Sequence, residues 1–236
     1  MLTVTIEIAL PITLAIIIWK KFKVSWAIFF LGMVLFLSSL IRIPLNNYIA
    51  SFLQTTFKGE LYYIFVGTMS GLTAGILEEG VRCIAFGAVI KPRDYYKGIM
   101  YGIGHGGGGE SMIFIGLTVL ANYIIFKFFP DILPVNIVSQ LKDAAWWLPL
   151  VGVAERILAI AIQIAFSVLI MHAFMFKKYY IIPLTIIFHA VVDFVAYYIN
   201  YKFGMWYAEL SVLVFAAAGI AIIFLMKPMN CKHNRN

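Results

Sequence analysis

The chain has 236 residues, of which 63% are hydrophobic and 12% are charged, and its formal net charge is +7. Soluble domains carry about 25% charged residues, and a soluble fold has too little interior to bury so much apolar surface. The composition therefore excludes an ordinary soluble domain and indicates a protein that lies in a lipid bilayer. The positive charge does not indicate nucleic-acid binding, because most lysines and arginines lie between apolar runs, where they fix membrane topology.

Seven apolar stretches approach or exceed the roughly 20 residues that a helix needs to cross a bilayer. In chain order they cover residues 3–19, 24–43, 61–90, 98–126, 145–176, 180–200 and 205–226. The first has neither a basic region before it nor a clear cleavage site, so we expect a retained helix and not a signal peptide. These stretches predict an all-α, polytopic transmembrane bundle of about seven helices. Residues 1–236 form a single integral membrane domain in this interpretation, because no polar linker divides the chain.

The connectors and termini complete the predicted topology. Two longer connectors, Pro44–Glu60 and Lys127–Asp143, mix apolar and polar residues and could lie along the membrane surface. Basic residues are concentrated after the first, third, fifth and seventh stretches, which by the positive-inside rule predicts an external N-terminus and a cytoplasmic C-terminus in the cell membrane. Two cysteines, Cys83 and Cys231, are too few for a disulfide scaffold, and we expect free thiols.

Ten ionisable side chains inside the predicted helices are the candidates for a functional site. A charged group at the bilayer centre costs roughly 2.5–3.5 kcal/mol on insertion scales, so such groups pair with each other inside the bundle or carry out chemistry. The ten are Glu78, Glu79, Arg82, His105, Glu110, Glu155, Arg156, His172, His189 and Asp193.

The third predicted helix contains the run Glu78-Glu79-Gly80-Val81-Arg82. Arg82 follows the two glutamates by four and three residues and shares a helix face with both. A structural interpretation is a salt bridge that lets the helix cross the membrane. One arginine neutralises one carboxylate, however, and we expect the other to be available as a general base.

The fourth predicted helix begins with a glycine-rich run around His105 and Glu110. Six of the eight residues from 102 to 109 are glycine, which permits tight helix packing or a break that lines a cavity. Packing alone does not explain the histidine and the acid. In a regular helix Glu110 points about 140° away from His105, so it joins a shared site only if the glycines distort the helix.

Two further helices carry buried polar groups. His189 and Asp193 are four residues apart on one helix face, an arrangement that serves a structural hydrogen bond or a carboxylate-oriented catalytic histidine. Glu155 and Arg156 are expected to be structural, with Glu155 in the outer half and outside the site. His172, near the cytoplasmic end of its helix, is open between an interfacial and a functional role.

The helix directions predict a common depth for the main candidates. Glu78, Glu79, His105, His189 and Asp193 lie about 10–20 Å from the predicted cytoplasmic face at 1.5 Å per residue. We therefore expect them to line one polar cavity that opens toward the cytoplasm.

The ordered motifs resemble those of glutamate-type intramembrane proteases of the CAAX-protease and bacteriocin-processing (Abi) superfamily. The resemblance is to the YhfC branch, with kinship to PrsW proteases, and spans residues 60–200, which it implies to be the catalytic core. It rests on Glu78–Arg82, on Tyr101–His105 with the glycines that follow, and on His189–Asp193.

Three departures from the prenyl-protease pattern make a prenylated CAAX substrate doubtful. The arginine follows the second glutamate by three residues and not four, Tyr101 stands in place of the commoner phenylalanine, and Asp193 replaces asparagine. These differences concern the substrate and leave the hydrolytic core of the pattern in place.

The resemblance implies an endopeptidase that cleaves a membrane protein or lipidated peptide. Glu78 and His105 would activate water, and His189 with Asp193 would stabilise the oxyanion. Glu79 and Arg82 would support the site, with Glu110 and His172 as further candidates. No cofactor is expected, because no His-Glu-x-x-His motif occurs, but zinc bound by His105, His189 and Glu78 is the rival mechanism.

Two other classes of function compete with the protease. A proton- or metal-coupled transporter also needs buried acids and broken helices, although the two halves of the chain show no matching pair of broken helices. A catalytically inactive immunity or scaffold protein could keep the same fold. The sequence alone leaves the substrate and cleavage site open.

Overall fold

The computed structural model describes residues 2–132, 138–139, 145 and 147–227. Its main helices are α1 (Leu2–Phe22), α2 (Trp26–Ser39), α3 (Arg42–Thr56), α4 (Glu60–Ile84), α5 (Tyr95–Gly102), α6 (Leu117–Phe128), α7 (Leu148–Met175), α8 (Ile181–Phe203) and α9 (Met205–Leu225). The predictions about Cys231 and about most of the Lys127–Asp143 connector concern residues outside this part. Cys83 is a free thiol, as predicted.

With α2 and α3 counted as one span of 31 residues, Trp26–Thr56, these helices form seven rods in the described part of the chain. This confirms the predicted all-α membrane bundle. Two π-helical segments extend the rods: Ala85–Val89 continues α4, and Ile103–Gly116 joins α5 to α6 in one rod of 34 residues. Six rods are long and apolar enough to cross a membrane. The seventh is α4, whose 25 residues include three glutamates and an arginine.

Helix α4 runs the length of its neighbour α8. At one end, Tyr63 stacks on Tyr201 with ring centroids 3.6 Å apart, and Lys202 forms an ion pair with Glu60. Closer to the middle, a Cβ atom on Gly75 would lie 2.6 Å from the carbonyl oxygen of Ile186, so glycine permits the close contact of the two backbones. Because α8 is an apolar span, this packing places the polar part of α4, from Glu78 to Arg82, inside the bundle.

The connector after residue 44, which the sequence places along the membrane surface, is largely the helix α3. Helix α3 begins directly after a turn at the end of α2 and packs against α4 in an antiparallel hairpin. Thr73 donates a hydrogen bond to the side-chain oxygen of Asn46 at 2.6 Å, and Arg42 reaches Glu78. These long-range polar contacts, which local composition does not reveal, hold the segment against α4.

The glycine-rich run forms the π-helical part of the long α5–α6 rod, so the predicted distortion is present. A Cβ atom on Gly107 would lie 2.7 Å from Cβ of Pro11 in α1, and one on Gly109 would lie 2.6 Å from Cβ of Phe36 in α2. The absence of side chains here lets α1 and α2 pack directly on this backbone. The π-helix thereby sits at the centre of the bundle, with His105 fully buried.

Candidate functional site

A buried ion pair on α4 is the centre of the polar cluster. Arg82 forms an ion pair with Glu79, as the spacing of three residues predicts. The same guanidinium donates to the side-chain oxygen of Gln163 and, through Nε, to Oγ of Ser167 at 3.1 Å. All four side chains are buried, so Arg82 holds α4 to α7 through groups that have left water.

Glu78 is not left without a cation. Its Oε1 lies 3.1 Å from a guanidinium nitrogen of Arg42 on α3, and its Oε2 lies 3.1 Å from Nε2 of His105. Arg82 is a more distant second cation at 4.0 Å. The expectation that one carboxylate stays unpaired is therefore wrong, because α3 folds back and supplies the missing positive charge.

His189 connects the second glutamate with the third predicted motif. Its Nδ1 lies 2.7 Å from Oε1 of Glu79, and its Nε2 lies 3.8 Å from Oδ2 of Asp193. The ring stacks on Phe166 with centroids 4.6 Å apart. The structure thus gives each glutamate of α4 its own histidine: Glu78 pairs with His105, and Glu79 pairs with His189.

The π-helix also brings Glu110 to the cluster. Hydrogen bonds in a π-helix join residues five apart, so Glu110 returns nearly to the face of His105. Nε2 of Gln163 donates to Oε2 of Glu110 at 3.0 Å and to Oε2 of Glu78 at 3.1 Å. Arg156 donates to Glu110 at 2.8 Å. A continuous polar chain therefore runs from Glu78 through Gln163 and Glu110 to Arg156.

A cavity of about 120 Å³ lies beside this chain. Its walls include His189 and Asp193 of α8 together with Gln163, Arg156 and Glu155 of α7. The expectation that Glu155 lies outside the site is wrong. Glu155 lies about 12 Å along α7 from Gln163, and both residues line the cavity.

The direction of the cavity also differs from the prediction. From His189 it extends toward Ala196 and Arg156, the end of the bundle at which α7 begins. On the other side, where basic residues predict the cytoplasm, a hydrophobic cluster around Phe86 and Tyr101 closes the bundle. The cavity therefore does not open toward the predicted cytoplasmic end.

His172 is not part of the cluster. It lies nine residues beyond Gln163, about 13 Å farther along α7, and its ring is 4.4 Å from that of Phe176. Of the predicted site residues, the structure brings together Glu78, Glu79, Arg82, His105, Glu110, His189 and Asp193.

Sequence reasoning missed three residues of the network: Arg42, Gln163 and Ser167. Arg42 lies at the end of the second predicted stretch, and its side chain is only 22% exposed. Gln163 interrupts an apolar run in α7, and such an intramembrane amide is a signal that could have identified it. Ser167 follows Gln163 by one turn and had no comparable signal.

The donor arrangement does not fit the predicted zinc centre. Catalytic zinc takes three protein ligands, and the described residues contain no group of three histidine, cysteine or acidic side chains placed to hold an ion. The proposed ligands His105 and His189 contact different carboxylates, while Arg42 and Arg82 lie against those carboxylates. A metal would have to displace these cations.

Comparisons with known proteins agree with the motifs. The chain is 25% identical over 243 residues to the uncharacterized membrane protein YhfC of Bacillus subtilis (strain 168), covering 93% of this chain and 92% of that protein. No solved structure matches significantly. A family model described as YhfC intramembrane metalloprotease matches residues 6–215. With most of its length matched, the chain belongs to the YhfC intramembrane metalloprotease family.

Proposed function

We propose that this protein is an intramembrane endopeptidase in which Glu78 and His105 activate the hydrolytic water. The observation that carries the proposal is the buried contact of 3.1 Å between Glu78 Oε2 and His105 Nε2, beside a polar cavity inside an apolar bundle. The family description supports peptide-bond hydrolysis. The proposed chemistry uses only the chain's own side chains, since the donor set does not fit a metal.

Gln163 separates the proposed base from the cavity in this conformation. Its side-chain amide donates a hydrogen bond to Oε2 of Glu78, and Gln163 forms part of the cavity wall. Rotation of Gln163 toward Glu110 would open that oxygen to water. A water molecule in the place of the amide would lie against Glu78 and within reach of His105, which meets the geometric requirement for general-base catalysis.

The proposed reaction proceeds in two proton transfers. Glu78 takes a proton from the water as its oxygen bonds to the substrate carbonyl carbon. The carbonyl oxygen then carries the negative charge, and His189, with both ring nitrogens protonated, donates to it while Glu79 and Asp193 hold the ring. The carbon–nitrogen bond breaks as the proton on Glu78 passes to the departing nitrogen, which leaves a carboxylic acid and an amine and returns Glu78 to its carboxylate form. The new acid then loses its proton to the amine, so the released products are a carboxylate and an ammonium group.

A transporter is the competing function, but the contacts favour hydrolysis. Both histidines are held against carboxylates in the manner of catalytic histidines. The proposed substrate class is a membrane-associated protein or peptide.

Glu78→Gln tests the proposal because it removes the basic carboxylate while keeping the size of the side chain. Purified protein in liposomes is incubated with a library of single-span membrane peptides, and mass spectrometry detects new termini. We expect a loss of about 10²-fold or more in the cleavage rate per folded protein. Glu60→Gln is the matched control, because Glu60 is an exposed glutamate of the same helix. Full activity of Glu78→Gln would remove Glu78 as the base.

A further inference from the structure

A second cavity, which the proposed reaction does not use, lies near the beginning of α1 and α7. It measures about 280 Å³ and is lined by both charged and apolar groups. The acidic side chains are Glu7 of α1 and Glu155 of α7, with Arg156 beside them. The remaining lining residues are Thr3, Ile115, Val119, Pro149 and Gly152.

Glu7 has a buried oxygen without a partner. Its side chain is 6% exposed, and its Oε2 has no hydrogen-bond partner in the described part of the chain. Arg156 does not fill this role, because its guanidinium forms ion pairs with Glu110 and Glu155. Three carboxylates, those of Glu7, Glu110 and Glu155, lie around this one guanidinium, so acidic groups outnumber cations among these residues. Buried charge of this kind is costly unless a cation approaches it.

The shape of the cavity favours an organic cation over a bare metal ion. Ile115, Val119 and Pro149 provide apolar walls, and the carboxylates of Glu7 and Glu155 provide hydrogen-bond acceptors. An alkyl chain that ends in an ammonium or guanidinium group matches both features. Calcium, by comparison, takes six to eight oxygen ligands, more than these walls offer.

Both cavities share a wall, which links this feature to the proposed active site. Glu155 and Arg156 line the second cavity and also the cavity that contains His189 and Asp193. We propose that the second cavity binds a lysine or arginine side chain of the peptide substrate, an inference that rests on the proposed endopeptidase function. Glu7 is then a specificity-determining residue.

The geometry also gives the place of the basic residue in the substrate. Gly152 lies 11 residues before Gln163 on α7, about 16 Å along the helix axis. An extended peptide rises about 3.3 Å per residue. For a substrate that lies extended along α7 and is cleaved beside Gln163, the basic side chain is therefore about five residues from the cleaved bond, toward the end of the bundle at which α7 begins.

Binding of paired peptides tests this inference without requiring cleavage. The probe is a fluorescent single-span peptide with one lysine, and its twin carries norleucine at that position. Both are titrated onto Glu78→Gln protein in phosphatidylcholine nanodiscs. We expect the lysine peptide to bind about tenfold more tightly or better. Adding Glu7→Gln should remove the preference, adding Glu7→Asp should keep part of it, and adding Glu60→Gln should leave it intact.

Equal binding of the two peptides to folded protein would overturn the inference. A lysine preference that Glu7→Gln leaves unchanged would also overturn it. So would a Glu7→Gln effect that is absent from Lys142→Ala protein, because that result would make Lys142 of the chain itself the partner of Glu7. If phosphatidylethanolamine nanodiscs abolish the lysine preference, the cavity holds a lipid ammonium group instead, and the inference fails.

The same peptides separate this inference from the proposed function. Lysine-dependent binding with no cleavage by the wild-type protein would support the subsite and contradict the protease. Cleavage of both peptides at equal rates by wild-type and Glu7→Gln protein would support the protease and contradict the subsite.

Discussion

Replacing Arg82 by alanine should destabilise the bundle more than the loss of any exposed charge. The guanidinium is fully buried and serves three partners, Glu79, Gln163 and Ser167. Removing one member of a buried ion pair costs about 3–5 kcal/mol, because the remaining charge stays out of water without compensation. We expect Arg82→Ala to lose stability in this range, and Arg82→Lys to fall between it and the wild type, since lysine keeps the charge but not the planar fork.

The assay is denaturant unfolding of purified protein in detergent, together with abundance in isolated membranes. Lys202→Ala is the matched control, because it also removes one cation from an ion pair with a glutamate, Glu60, but at an exposed position. Exposed pairs are screened by water and salt, so little change is expected there. Equal stability of Arg82→Ala and Lys202→Ala would refute the view that the buried network holds α4 to α7.

Three further predictions concern packing, chemistry and topology. Gly75→Val should weaken the contact of α4 with α8 and lower the melting temperature, because a Cβ atom there would lie against the carbonyl oxygen of Ile186. Gly80→Ala is the control: nothing lies within 4 Å of a Cβ atom at that position, so this change should be neutral or stabilising. Equal melting temperatures of the two variants would contradict the prediction. Peptide cleavage should continue in the presence of EDTA, because Arg42 and Arg82 already pair with the carboxylates that a metal would need as ligands. A loss of activity that added zinc restores would contradict this prediction. A reporter fused after Asn236 should be active only in the cytoplasm, and activity only outside the cell would reverse the topology.

Features set by local spacing were predictable from the sequence. The lengths of the apolar stretches gave the rods, and the spacing of three residues gave the ion pair between Glu79 and Arg82. The glycine-rich run predicted that Glu110 joins His105 only in a distorted helix, and the π-helix supplies that distortion. Each of these depends on neighbours in the chain.

Features set by contacts between helices were not predictable from spacing. His189 and Asp193 share a face as expected, but the closer partner of His189 is Glu79 on another helix. Arg42 reaches Glu78 only because α3 folds back along α4. Charge counting on a single helix could not identify these partners, because the compensating charge comes from a distant segment.

Hydrolysis in heavy-oxygen water tests the central claim most directly. Wild-type protein in liposomes is incubated with the membrane peptide library, and the new carboxyl terminus of each product is weighed by mass spectrometry. The account predicts one heavy oxygen in that carboxyl group with wild-type protein, and a loss of labelled product of about 10²-fold or more with Glu78→Gln. Labelled product formed at the wild-type rate by Glu78→Gln, or no labelled product from the correctly inserted wild-type protein, would contradict it.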